Sequence, residues 1–379
     1  MLLGSDDVVI FNGALPATFT LPASKGFGDR YTVKNLGTGA LTVSGFKDDR
    51  IDGSATVPMS YGETKTFYDS FKGKWTELYN GLVDYNSFIN VIEYGADPSG
   101  LLNSSSAFLD ACSSGTDIWV SKGTYKIETN LTLTSFVHFA QGAVLSIQDG
   151  VTVTFNGGID ANRYKVFDCI GSGAVAFDPK KTVVGFPEWW GGYPGGAVDC
   201  TTAINSCLVA CIETNLNAGD YWTTSRVAML LPHRRLVGAG SYYDSSIDQV
   251  TRLICNSSTS LILQIGPDSM PGGSIPSSFY KENVVKDIFI TRTPGVDIPS
   301  GCVGVLIQYT LWCNLNNVRS SESISCFYIR GNVALNAVDC WAFRSMAGSG
   351  GGTDSCYGWF IDGTLSIGLS GGNGSVYLL

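Results

Sequence analysis

Five carboxylates stand out in the last third of the chain: Asp287, Asp297, Glu322, Asp339 and Asp354. A pair of carboxylates can cut a glycosidic bond. One protonates the leaving oxygen and the other activates water or attacks the sugar, at separations of about 5–5.5 Å for retention and about 6.5–9.5 Å for inversion. Strands stacked about 4.8 Å apart bring acids one or two strands apart into that range. Glu322, Asp287 and Asp339 are the catalytic candidates. The same stretch is rich in aromatic residues. Tyr309, Trp312 and Trp341 are candidates for stacking on sugars, whose C–H groups meet a π-surface while the ring edges keep their hydroxyls wet. Nothing suggests a metal or a cofactor. Cys207 and Cys211 stand four residues apart, but neither His138 nor His233 is placed to complete a zinc site. Gly348-Ser349-Gly350-Gly351-Gly352 lacks the lysine and the following helix of a phosphate loop.

These residues need a scaffold, and repeats suggest one. Leu315-Asn316-Asn317-Val318-Arg319 returns 20 residues later as Leu335-Asn336-Ala337-Val338-Asp339, and Val305-Leu306-Ile307-Gln308 precedes Phe327-Tyr328-Ile329-Arg330 by 22. Val285-Lys286-Asp287-Ile288-Phe289-Ile290 reads as an earlier member. Such a period suits one turn of a β-solenoid. A 20-residue register stands Leu315 on Leu335 and Val318 on Val338, and makes an amide ladder of Asn316 and Asn336. It also pairs Arg319 with Asp339, which points to a structural rather than a catalytic Asp339. Upstream, Leu131–Leu133, Val137–Phe139, Ala143–Ile147 and Val151–Phe155 alternate as strands do. Two short helices are predicted. One carries Ala107, Phe108, Ala111 and Cys112 on one side; the other carries Ala203, Ile204, Cys207, Leu208 and Cys211, with Asp199 or Thr201 as its cap. A helix of this kind can cover the open end of a stacked β-structure, whose last strand otherwise exposes unpaired backbone groups.

The whole chain has 379 residues, 15% of them charged, with 46 Gly and 12% aromatics. That is an all-β composition. A net charge of −9 disfavours nucleic acid as a partner. No apolar run of about 18 residues is present, so membrane insertion is not expected. The first residues, Met-Leu-Leu-Gly-Ser-Asp-Asp, do not read as a signal peptide. The 11 cysteines then read as buried thiols kept reduced in the cytoplasm where the chain is made. The expected organisation is a small β-sandwich or barrel-like module over residues 1–84, a connecting β-segment with the first helix over 85–190, and a parallel β-helix over 191–379.

Two strings carry a family resemblance. Val91-Ile-Glu-Tyr-Gly-Ala-Asp-Pro-Ser-Gly100, its alanine-spaced helix and Gly123-Thr124-Tyr125-Lys126-Ile127 together resemble the opening of pectate-lyase-like right-handed parallel β-helices, as found in bacteriophage tailspikes. Ser121 stands where that family usually has Pro, and Asn103 where it often has Asp. Phe186-Pro187-Glu188-Trp189-Trp190-Gly191-Gly192 resembles the Pro-Glu-Trp-(Trp/Phe)-Gly segment that precedes the main β-helix of many tailspikes. Gly28–Asn35, with Ile51-Asp52-Gly53 and Trp75, looks like small β-modules of phage tail proteins, which implies an attachment or spacer role. The resemblance implies a homotrimeric virion tail protein. Its partners would be other tail or baseplate proteins and a bacterial surface polysaccharide, capsule or lipopolysaccharide, which it binds and depolymerises as hydrolase or lyase. The Gly-His-Gly string of polygalacturonases is absent. Two alternatives stay open: a non-catalytic tail fibre or adaptor anchoring other virion parts, and a secreted carbohydrate enzyme, which the N-terminus disfavours. The strand pattern reaches Leu379 without an evident cap, so the chain reads as a truncated spike or a short structural one.

Overall fold

A computed structural model describes residues 7–24, 30–51, 54–71, 73–78, 88–196, 198–242, 250–257, 259–268, 282–293, 301–310, 312–331, 335–345, 357–362 and 376–378. The chain divides into two compact units, Met1–Phe88 and Ile89–Leu379. In the first, Asp7–Phe11 runs parallel to Arg30–Asn35, which is antiparallel to Thr64–Phe71. Ala17–Thr20 runs parallel to Leu41–Ser44, which is antiparallel to Thr56–Met59. Alternating side chains from these two sheets, Val33, Val43 and Phe67 among them, feed one core around Trp75.

The second unit is predominantly β, and its named strands pair in parallel. Its first sheets stack Leu145 on Tyr125 and Phe167 on Leu145, Val153 on Leu131 and Val175 on Val153, and Val137 on Ile118. Every second residue points inward, which is why Ala143–Ile147 alternates between buried and half-buried positions. The strands continue through Glu213–Asn215, Arg235–Val237, Val284–Arg292 and Cys313–Ser323 to Leu335–Val338.

Helix α1 (Ser105–Ser113) and helix α2 (Thr201–Ala210) each follow a short 3-10 turn, Val91–Tyr94 and Pro187–Trp190. The two assemblies superpose in sequence at a constant spacing of 96 residues. Gly95 and Gly191 both end the turn in left-handed backbone, with φ of 90° and 84°. Asn103 Oδ1 accepts from the Ser105 N–H at 3.0 Å, and Asp199 Oδ1 from the Thr201 N–H at 3.0 Å. The N-cap positions themselves are Ser104 and Cys200, not Asp199 or Thr201, and their side chains make no cap bond; the hydroxyls of Ser105 and Thr201 accept a backbone N–H from the next strand region, Glu128 at 3.0 Å and Thr224 at 3.1 Å. Tyr125 and Tyr221, each two residues beyond a left-handed glycine, are fully buried. So Asn does at position 103 the work that Asp does at 199.

Glu188 explains why the second copy is special. It is buried, and it accepts from Arg163 at 3.1 Å and from the Tyr221 hydroxyl at 3.1 Å. Burial, and then the Glu188 charge, push the Tyr221 hydroxyl above its ordinary pKa. Trp189 Nε1 donates to the carbonyl of Asn162 at 3.1 Å, and Trp189 and Trp190 close an aromatic core of Phe155, Phe167 and Phe177. Helix α2 serves two cores: Cys207, with Cys211 just beyond its end, packs into the upstream one, and Cys200, just before its start, Ile204 and Leu208 into the downstream one. The division expected near residue 190 therefore falls inside the second unit, at the junction of these cores.

The 20-residue register is wrong. Leu335 pairs with Cys313, Asn336 with Asn314, Ala337 with Leu315 and Trp341 with Arg319, an offset of 22. The amide ladder joins Asn336 Nδ2 to Asn314 Oδ1 at 3.4 Å, not to Asn316. Arg319 does not stand on Asp339. The second repeat does keep its offset of 22: Val305 pairs with Phe327 and Ile307 with Ile329. A shift of two preserves which residues face inward, so the error leaves the burial pattern intact and changes only the neighbours.

Candidate functional site

Three residues with short polar side chains hold left-handed backbone at one bend: Asp287 (φ 57°), Asn317 (φ 51°) and Asp339 (φ 52°). Asp and Asn tolerate this conformation better than other residues with a β-carbon. Pairing on both sides of the bend, Lys286 with Asn316 and Ile288 with Val318, then Asn316 with Val338 and Arg319 with Trp341, aligns the three in one column. Gly238 begins that column, since a β-carbon there would lie 2.3 Å from the Asp287 carbonyl oxygen. Asn317 ties the column together. Its Nδ2 donates to Asp287 Oδ1 at 2.7 Å, and its Oδ1 accepts from Ser241 Oγ at 2.6 Å. Lys286 Nζ lies 3.4 Å from Asp287 Oδ2. Asp339 is exposed and makes no hydrogen bond or ion pair with its side chain among the described residues. Two strand spacings put the two aspartates roughly 10 Å apart along the column.

An aromatic cluster begins two residues beyond the bend. Trp341 is 56% exposed, and its ring lies 6.2 Å from that of Phe343 with 11° between the planes. Arg319 pairs with Trp341 across the strands, and its guanidinium carbon is 5.2 Å from the Tyr242 ring and 5.9 Å from the Phe343 ring. Tyr242 follows Ser241, whose hydroxyl is bonded to Asn317, so the bend and the cluster share one anchor. Among the described residues the buried Arg319 Nε has no hydrogen-bond partner. In the same row of paired residues, Arg252 is bonded to Asp220. The patch thus combines a π-surface, a guanidinium held between aromatic rings and two carboxylates, which together can hold a sugar ring and move protons on either side of it.

The other expected residues lie elsewhere. Glu322 also has positive φ, 53°, but sits at the far end of Cys313–Ser323, away from the aspartate column. Tyr309 is only 7% exposed, which denies its ring to a glycan. Trp312 is 53% exposed, but it precedes Cys313, on the opposite side of the bend from the Arg319–Trp341 pair. Asp297 and Asp354 lie outside the described residues. The sequence reading missed Asn317 and Ser241 and misplaced Arg319; an Asp or Asn recurring at the bend was the available signal. Among the described residues no group of His, Cys, Asp and Glu could hold a metal ion, and no helix is long and apolar enough to cross a membrane.

No protein-family model and no curated protein matches the chain. Among solved structures it is similar to the Streptococcus pneumoniae surface adhesin PfbA, with 10% identity, 68% of this chain and 92% of that one covered, and a TM-score of 0.26. It is similar also to ORF18 of Geobacillus virus E2, with 11% identity, 94% and 75% covered, and a TM-score of 0.27. A third is the N-terminal fragment of bacteriophage Phi29 gene product 12, with 12% identity, 66% and 62% covered, and a TM-score of 0.23. Likenesses this low carry no argument, so function is read from the chain's own residues.

Proposed function

We propose that the parallel strands wind as a right-handed parallel β-helix, and that the chain is a phage tail protein that adsorbs to a bacterial surface polysaccharide and cleaves it. The observation that carries this reading is the patch in which an exposed Trp341 adjoins a column holding Asp287 and Asp339. The tail assignment is supported by the resemblance of the two start segments to those of tailspikes, and their turns and buried tyrosines recur in both copies. In the cleavage step one aspartic acid protonates the glycosidic oxygen, and the other carboxylate takes a proton from water as that water attacks the anomeric carbon from the opposite face. The separation of the two aspartates, roughly 10 Å along the column, is too wide for a retaining pair at about 5–5.5 Å and lies at the upper edge of the inverting range. A homotrimer is the proposed assembly, checked by light scattering.

Incubation with capsule and lipopolysaccharide from a panel of hosts tests the reading. The wild-type chain is expected to bind at least one glycan and release reducing ends. Asp287→Asn and Asp339→Asn are each expected to slow release by about a hundredfold or more while binding persists. Adsorption without cleavage is the second reading, favoured by the hydrogen bond that ties Asp287 to Asn317. Binding with no reducing ends selects it; binding to no surface glycan at all rejects both.

A further inference from the structure

We propose that the first unit takes up a strand–turn–strand segment of another protein chain, added in parallel to Asp7–Phe11 and Ala17–Thr20. The inference concerns the first unit alone and does not depend on the glycan reading. Residues 7–20 form one layer, and residues 31–44 form a second layer paired with it at a constant offset of 24, from Asp7 on Tyr31 to Thr20 on Ser44. Both strands of the first layer are end members of their sheets. The hydrogen bonds show which backbone groups are in use. The Phe11 carbonyl accepts from Leu36, the Ala17 N–H donates to Ala40 and the Leu21 N–H to Ser44. Backbone groups of successive residues in a strand point to opposite edges. So Val9, Phe11, Ala17 and Phe19 bond to the second layer, and Val8, Ile10, Thr18 and Thr20 turn their N–H and C=O groups to the outer edge. Among the described residues nothing pairs with that edge.

The two ends of this module are built differently. Proteins blunt exposed edges with short strands, charge and proline. The far ends of the two sheets follow that rule: Arg50–Ile51 is two residues long, and Thr56–Met59 carries Pro58. The first layer does not. Asp7 is its only charged residue, and Pro16 lies in its turn rather than in a strand. Its core is also unfinished. Val33, Leu41 and Val43 are buried, whereas Val9, Ala17 and Phe19, which pair with them, are only half-buried. One more layer would seal them as they seal the second. The corner is already clear, because a β-carbon on Gly37 would run into the Gly13 backbone and glycine recurs in the first layer at Gly13 itself. Leu15, 79% exposed, stands where the second layer has Gly39, so the incoming turn passes wide of it. The second layer thus shows what the outer edge fits: two strands with apolar residues at alternate positions and a tight, glycine-bearing turn. In such strand addition main-chain bonds supply affinity and the alternate side chains supply specificity. The occupant is a different chain, because the far end of this module offers no edge of matching length.

The test uses the full chain and a synthetic peptide of residues 7–21 in which a Gly-Ser turn of equal length replaces residues 12–16. A scrambled peptide of the same composition is the control. Site-resolved amide exchange compares the free chain with the peptide-saturated one. The amides of Val8, Ile10, Thr18 and Thr20 are expected to slow by about tenfold or more, and those of Ala17 and Leu21, already bonded, to change little. Proline at an outward position removes no bond to the second layer but blocks the outer edge. Ile10→Pro and Thr18→Pro in the full chain are therefore each expected to weaken peptide binding by about tenfold or more. Thermal melting checks that both variants fold, and the exchange result on the unsubstituted chain decides the question should they not. No slowing at the four outward amides, equal slowing with the scrambled peptide, or undiminished binding by both folded proline variants overturns the proposal. Protection of the same four amides in the peptide-free chain that is lost on dilution assigns the edge to a second copy and overturns it too.

Discussion

Replacing Asn317 separates the two contributions that hold the aspartate column. Asn317→Ala removes the bond from Ser241 Oγ and the donation to Asp287 Oδ1. For a half-buried side chain these are worth about 1 and about 1.5 kcal/mol, the second being larger because its acceptor is charged. Ala also tolerates a φ of 51° less well than Asn, at a further cost of about 1 kcal/mol. The expected loss is about 3.5 kcal/mol for Asn317→Ala and about 2.5 kcal/mol for Asn317→Gly, which keeps only the side-chain part. Urea unfolding followed by tryptophan fluorescence reads the difference as a shift in midpoint at constant slope. Glycan cleavage in the same variants is expected to fall, because Asp287 loses the donor that positions it. A Gly variant no more stable than the Ala variant refutes the left-handed bend. An Ala variant within about 0.5 kcal/mol of wild type refutes the bonded column, since surface changes away from such features lie in that range.

Two further outcomes test the scaffold. Glu188→Ala leaves Arg163 and the Tyr221 hydroxyl without their shared acceptor and is expected to destabilise by about 3 kcal/mol, whereas Glu188→Gln, which keeps an acceptor oxygen, is expected to lose less; equal losses in urea unfolding count against the charged pair. Asp97 accepts from the Leu102 N–H, the Ser99 hydroxyl and N–H, and the Leu101 N–H, which lowers its pKa to about 2. A carboxyl held below its unfolded value supports the fold above about pH 4 and loses that support as pH falls towards 2. Amide exchange at Leu101 and Leu102 is therefore expected to accelerate over that window beyond the intrinsic rate, and Asp97→Asn to abolish the pH dependence.

Much of the scaffold was legible because it follows from periodicity. Strands such as Ala143–Ile147 announce themselves by alternation, and the buried faces of α1 and α2 by apolar residues three and four apart. The register was not legible from the same residues. Leu315-Asn316-Asn317-Val318 and Leu335-Asn336-Ala337-Val338 look alike, yet Leu315 pairs with Ala337, so likeness of apolar type alone does not fix which inward position stands on which. Backbone conformation is less forgiving. Only a few residue types sit comfortably at positive φ, so Asp287, Asn317 and Asp339 mark the true alignment although they are not identical. Aligning bends rather than leucines would have placed Trp341 beside Arg319 and freed that arginine from a supposed partner. Tyr309 misled for a related reason: its type suits a sugar platform, but its burial depends on neighbours distant in sequence.

Helix α2 has a consequence for how the molecule comes apart. In a stacked array each layer touches only its neighbours, and unfolding can stop at any weak boundary. Here the boundary between the two cores is itself a helix with residues sunk into both, and the Glu188 ion pair reaches across the same place. Pulling on one end of the second unit therefore meets no seam: the upstream core cannot open without stripping the floor from the downstream one. A force along the second unit is thus carried by both cores at once, at the place where a stack would otherwise be easiest to shear.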